Sequence, residues 1–260
     1  MGDTFDVETT GRVVVATFNR PDQLNTMTAT MLDELDELLH QISADRSVGA
    51  LVITGSGRAF SAGGDINGFE PDLAVEAFAA SAKRTTDVLD RLQGSSIPTI
   101  AAINGIALGG GLELALACDL RVAVSTAKLG TPEIALGFLP GGGGTARLSR
   151  MVPPAIAKQL LLTGQPITAA EAHRVGLINE ITDDADACLS RALAMAERLA
   201  SMPPLAVAAG KWLVDKGALL PLEEAIVMER QTVATLFATH DRVEGVAAFM
   251  ERRPPRFEGR

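Results

Sequence analysis

The sequence predicts an α/β fold followed by a helical C-terminal region. Up to residue 182, short β-branched runs alternate with helical patterns; beyond it the strand signal stops and one helical pattern follows another. With 260 residues, 47% of them hydrophobic and 21% charged, the chain has the apolar content for a large buried core.

Residues 4–10 and 12–18 are β-rich runs joined at Gly11, a hairpin signal, and Asn19, Arg20, Pro21 and Asp22 form a turn. Thr28 is a candidate N-cap ahead of Met31, Leu32, Leu35, Leu38, Leu39 and Ile42, whose spacing is helical, and residues 48–54 read as a buried strand. After a loop rich in glycine and serine the order repeats, with a helix over 73–92 and a strand over 97–103. A helix over 109–118, a strand over 120–124, short helices over 142–151 and 155–162 and a last strand over 177–181 follow. This order predicts parallel sheet built from βαβ units. Helices are then expected over 185–200, 205–216, 222–237 and 242–252, separated by proline or glycine.

A net charge of −9 argues against a broad surface for nucleic acid or anionic lipid, although Arg242, Arg252, Arg253, Arg256 and Arg260 make the end of the chain locally basic. No apolar run reaches the roughly 18 to 20 residues of a membrane span, and residues 1–6 are acidic rather than a basic stretch leading into an apolar one. A cytoplasmic enzyme is expected. Cys118 and Cys188 lie in apolar patterns and are expected as buried thiols, and His40, His173 and His240 show no metal-ligand spacing. No metal is expected.

Three glycine-rich segments, 55–57, 109–111 and 141–144, lack the Gly-Lys-Ser/Thr of a phosphate loop and the glycine spacing of a dinucleotide fingerprint. The first and third are read as tight turns and close backbone packing. The second follows the strand over 97–103 and opens a helix, where unpaired backbone N–H groups and the positive end of the helix dipole stabilise an oxygen that gains charge. Glu113 lies three residues after Gly110, so on a helix it is one turn along on nearly the same face. Glu133 stands twenty residues later in an apolar segment, after Pro132. On local grounds both are equally explained as glutamates at helix starts.

Taken together, the motifs resemble the crotonase (enoyl-CoA hydratase/isomerase) superfamily over nearly the whole chain. The resemblance rests on Asn19-Arg20-Pro21 with Leu24-Asn25, on 59–66 (AFSAGGDI), on 101–105 (AAING) leading into 109–115 (GGGLELA), and on Cys118-Asp119. It continues through Pro132-Glu133-Ile134, 140–148 (PGGGGTARL), 169–172 (AAEA) and Gly176-Leu177-Ile178. It implies a spiral of ββα units rather than an open doubly wound sheet, with residues 1–200 as the catalytic core. Residues 201–260 would form a helical region that assembles a homotrimer or a dimer of trimers.

It further implies that the backbone N–H groups of Gly64 and Gly110 form an oxyanion hole for a coenzyme A thioester, which enters as substrate, with no separate cofactor. Glu113 would activate water and Glu133 exchange a proton at C2, making the chain an enoyl-CoA hydratase that yields 3-hydroxyacyl-CoA in fatty acid or related acyl-CoA metabolism. Ala62, Gly64, Asp65 and Ile66 would line the coenzyme A end. Asp22, Gln23 and Asn67 stand where many relatives carry basic residues, which leaves Arg20, Arg58 and Arg252 as candidates for the phosphates. The alternatives are an enoyl-CoA isomerase or another lyase using the same enolate, and a non-catalytic or RNA-binding member. The net charge and the two glutamates oppose the last. Residues 73–82 and 134–139 are candidates for an acyl-tail lining.

Overall fold

The computed structural model describes residues 4–68 and 72–260, so the acidic residues 1–3 lie outside it. The chain opens with the hairpin β1 (Phe5–Thr10) and β2 (Val13–Phe18), paired antiparallel, then α1 (Ala29–Ala44) and β3 (Ala50–Gly55). The Thr28 side chain caps α1 by accepting from the Met31 N–H at 3.2 Å, and the six apolar residues whose spacing predicted this helix are all buried. All of β3 is buried, as befits a parallel strand covered on both faces.

The next elements are β4 (Ala59–Ser61), α2 (Val75–Gln93), β5 (Thr99–Ile103), β6 (Ile106–Leu108), α3 (Gly110–Ala117), β7 (Leu120–Val124) and β8 (Lys128–Gly130). After a 3-10 turn over Pro132–Leu136 come α4 (Gly144–Met151), α5 (Pro154–Thr163), β9 (Ile167–Thr168), α6 (Ala169–Arg174), β10 (Glu180–Thr182) and α7 (Ala185–Ala200). The chain continues through α8 (Pro204–Gly217), α9 (Leu222–Phe237) and α10 (His240–Glu251).

Among the described residues the strands form two sheets, ordered β1-β2-β3-β5-β7-β10 and β4-β6-β8-β9. Each successive turn of chain adds one strand to each: β3 and β4, then β5 and β6, then β7 and β8. Strand order never reverses, so the switch point of a doubly wound sheet is missing and the βαβ expectation is corrected to a spiral of ββα units. The strands that hid this, β4, β6 and β8, are three residues each, too short for a periodic pattern to mark.

α7 lies across β3, β5 and β7, and small residues on its inner face, Cys188, Ala192, Ala196 and Ala200, allow close approach to the sheet. Cys118 is buried too, and burial pushes its thiol up to about 12. α8 and α9 pack against each other. α8 is tethered to the sheet by Lys211, whose ammonium reaches Asp119 Oδ2 at 2.5 Å and the Ile97 carbonyl at 2.8 Å. Asp119 also accepts from the Thr99 N–H and hydroxyl, so it joins two strands and a helix rather than merely capping a turn. No described helix is long and apolar enough to cross a membrane.

Candidate active site

The ends of β4, β6 and β8 build the site. These strands are neighbours in parallel register, with Ser61 beside Ala107 and Ala107 beside Leu129. Three residues beyond each register position stand Gly64, Gly110 and Pro132, the last directly before Glu133. With strands about 4.8 Å apart, segments distant in sequence leave the sheet side by side.

Gly64 bridges Met27 in parallel fashion, with the Met27 N–H on the Gly63 carbonyl at 2.8 Å and the Asp65 N–H on the Met27 carbonyl at 3.0 Å. That pattern turns Gly64's own N–H away from the Met27 segment. Gly110 is the first residue of α3, where an N–H has no intrahelical acceptor. A Cβ placed on Gly110 would lie 3.2 Å from the Gly64 nitrogen and 2.7 Å from Met27 Cε, so the two residues adjoin and a side chain would intrude between them. Gly109 sits at φ +51°, and a Cβ there would stand 2.7 Å from Glu133 Oε1.

Glu113 lies in the first turn of α3 and is 4% exposed; Glu133 lies in the first turn of the 3-10 segment and is 8% exposed. Their surroundings differ. Glu113 Oε1 accepts from the Gly142 and Gly144 N–H groups, each at 2.7 Å. Burial raises its pKa, while those two N–H groups and the charge of Arg147 oppose the rise. Glu133 is pushed up to about 7, first by burial and further by the charge of Glu113, against the pull of its own backbone N–H. Its Oε2 is buried and meets no hydrogen-bond partner among the described residues. Burial thus raises both carboxyls, but in Glu113 two donors and a cation oppose it, whereas Glu133 has only its own backbone N–H against it.

Both open onto a pocket of about 350 Å³ that also contains Met27, Ala62, Gly64, Asp65, Ile66 and Gly110. Phe78, Ala82, Leu136 and Phe138 give it an apolar end, and Phe78 and Phe138 meet edge to face at 6.5 Å. The residues expected at the acyl tail and at the coenzyme A end thus share one cavity with the two glutamates. Arg20 and Arg252 do not line it. Arg20 points into its own loop, bonding Gln23 and the Thr26 carbonyl, and Arg252 is the exposed left-handed residue closing α10. A larger cleft of about 720 Å³, lined in part by Arg147, Lys211 and Trp212, holds neither glutamate. Among the described residues no three His, Cys, Asp or Glu side chains are grouped to hold a metal ion.

Sequence reasoning missed the part played by the 141–144 segment, read only as turn and packing glycines. Gly142 and Gly144 supply the donors to Glu113, and Arg147 lies behind them. No local signal marks a backbone N–H that will meet a side chain thirty residues away.

The chain matches the family described as enoyl-CoA hydratase/isomerase over residues 8–260. It is 43% identical over 261 residues to a probable enoyl-CoA hydratase of Rhizobium meliloti strain 1021, covering 99% of each chain. It is 38% identical over 250 residues to a short-chain-enoyl-CoA hydratase of Clostridium acetobutylicum, covering 95% of this chain and 94% of that one. The crystal structure of an enoyl-CoA hydratase from Bacillus anthracis superposes with a TM-score of 0.95 at 36% identity, over 99% of this chain and 100% of the other. The match to the family over residues 8–260, the full-length sequence agreement and the shared overall fold lead to one conclusion: the chain belongs to the enoyl-CoA hydratase/isomerase, or crotonase, family.

Proposed function

We propose that the protein is an enoyl-CoA hydratase, adding water across the C2=C3 bond of a 2-enoyl-CoA to give 3-hydroxyacyl-CoA in fatty acid or related acyl-CoA metabolism. The observation that carries this reading is two buried carboxylates in unlike electrostatic settings, facing one pocket beside two backbone N–H donors. Glu113, whose ionised form the Gly142 and Gly144 N–H groups favour against the effect of burial, takes a proton from water as the oxygen bonds to C3. The C2=C3 electron pair moves into the thioester, whose oxygen gains charge between the N–H groups of Gly64 and Gly110. Glu133, biased toward its acid form, delivers a proton to C2. Glu113 then releases its proton to solvent and Glu133 takes one up, so both carboxyls return to their starting states and the net change is one water added. No electron changes hands, so no redox cofactor is required.

Coenzyme A is assigned to the Ala62, Gly64, Asp65 and Ile66 side of the pocket, and the acyl chain to the end formed by Phe78, Ala82, Leu136 and Phe138. Arg20, next to the segment leading to Met27, and Arg252 of an adjacent copy are assigned to the phosphates. The cytoplasm is the assigned compartment. We also assign the C-terminal helices to assembly as a trimer or a dimer of trimers. Leu222, Phe237, Phe249 and Met250 are large apolar residues more than 60% exposed on the single chain, and a second copy would cover them.

The test is to incubate the protein with crotonyl-CoA and longer 2-enoyl-CoAs and follow loss of the conjugated thioester absorbance. Glu113→Gln and Glu133→Gln are each expected to lower kcat by about two orders of magnitude or more. Full activity in either variant overturns the paired-carboxylate mechanism. Turnover of a 3-enoyl-CoA without hydration of the 2-enoyl-CoA assigns the site to isomerisation instead.

A further inference from the structure

Arg147 is the charged side chain nearest this machinery that the mechanism leaves without a task. It projects from α4 and is 8% exposed, and each of its three guanidinium nitrogens donates a hydrogen bond. Nη1 donates to the Gly142 carbonyl at 2.8 Å, Nε to Gln93 Oε1 at 2.9 Å and Nη2 to Asp90 Oδ1 at 2.5 Å. Gln93 and Asp90 belong to α2, which also walls the pocket. The Gly142 residue that receives Arg147 through its carbonyl is the one that grips Glu113 Oε1 through its N–H.

Gly144 is set as the first residue of α4 and Thr86 holds the Gly141 carbonyl, but glycines 142 and 143 between them have more backbone freedom than any other residues, so the Gly142 N–H needs an added restraint to stay on the Glu113 oxygen. A planar fork with fixed donors restricts it from outside. We propose that Arg147 is a positioning residue: by clamping the Gly142 carbonyl to α2 through Gln93 and Asp90, it holds the Gly142 N–H alongside that of Gly144 on Glu113 and keeps that carboxylate ready to accept a proton. The inference rests on the water-activating role given above to Glu113.

Asp65, in the same pocket, is bonded to Asn67, and the charged groups around Glu113 are few. Glu133 faces it from the 3-10 turn and Arg147 from α4, while on α2 Asp90 acts through Arg147, and Arg84, which lines the same pocket, is paired with Asp33. β4 and β6, packed beneath α3, carry no charge. Arg147 is thus the cation whose charge lowers the Glu113 pKa, and removing it moves that titration upward.

The experiment has two readouts: the pH profile of kcat/KM with crotonyl-CoA, and the titration of the Glu113 carboxyl followed by carbon NMR in glutamate-labelled protein. In Arg147→Gln we expect the acidic limb and the Glu113 titration to move together to higher pH by about one unit. We expect kcat to fall roughly tenfold or more while KM stays within about twofold. Arg147→Lys, which keeps the charge and loses the fork, should restore most of the titration but only part of kcat. If Arg147→Gln does not fold, the Asp90→Asn, Gln93→Ala double variant, which frees the guanidinium, decides by the same two readouts. An unmoved limb with an unmoved Glu113 titration in a folded variant overturns the proposal. A shifted titration in a protein whose wild type hydrates no enoyl-CoA overturns the assigned reaction instead, and leaves the clamp standing.

Discussion

Replacing Glu133 by glutamine should shift the balance of stability toward the variant as pH rises from about 4.5 to 7. The group's pKa rises from 4.5 to about 7 on folding, a difference of 2.5 units, because burial and the neighbouring Glu113 charge disfavour its ionised form. An acid with a raised folded pKa binds its proton more tightly in the native state, so stability falls as pH climbs through the window from 4.5 to 7. At 1.36 kcal/mol per unit the full loss is about 3 kcal/mol as an upper bound, most of it developing between pH 5 and 8. Glutamine does not titrate and escapes the loss. Its amide, in a place where Oε2 has no partner among the described residues, carries a penalty of its own, but that penalty is the same at both pH values and cancels in the difference. For a protein of this size the advantage of Glu133→Gln over wild type should be larger at pH 8 than at pH 5 by roughly 5 °C. Thermal melts of both proteins in matched buffers measure it. An equal difference at the two pH values would show that Glu133 is an ordinary carboxylate and refute the acid role assigned to it.

Two further outcomes are expected. Gly110→Ala should fold, since alanine suits a helix and the Met27 side chain can yield, yet its Cβ enters the gap beside the Gly64 nitrogen; kcat should fall about 10²- to 10³-fold in the crotonyl-CoA assay with little change in melting temperature. In solution, sedimentation equilibrium at micromolar concentration should give the mass of three or six chains, and a stable monomer would remove the case for assembly through α9 and α10.

The parts of the fold that announce themselves in sequence are those whose own periodicity matches their burial. The spacing of Met31 to Ile42 predicted α1, and the apolar run 48–54 predicted β3, beginning two residues early and ending one short. The second sheet did not announce itself, because β4, β6, β8 and β9 are two or three residues long and gain stability from pairing rather than local preference. The helix expected from 142 starts at Gly144, since Gly143 sits at φ +96°, outside the right-handed helical region. For the site, α3 and its first-turn glutamate were visible as a helix start. That Glu133 would share a cavity with it was legible only through the resemblance, because the register of three strands sets that meeting. Arg147 passed as one more basic residue, since its partners on α2 and at Gly142 are brought to it by tertiary packing.

The spiral has a consequence for how such a protein can diversify. Because Gly64, Gly110 and Glu133 are each placed by the end of a strand in one small sheet, their spacing is measured across hydrogen-bonded neighbours and not along the chain. The excursions between those strands, including the part of α2 from Phe78 to Thr85 that walls the pocket, can change side chains without moving the donors, while Asp90 and Gln93 further along α2 stay to hold Arg147. Reaction chemistry and acyl preference are thereby written in separate parts of the sequence. Exchanging the pocket-facing half of α2 is the natural route to a new substrate, and a one-residue slip in β4, β6 or β8 is the change such a scaffold cannot absorb.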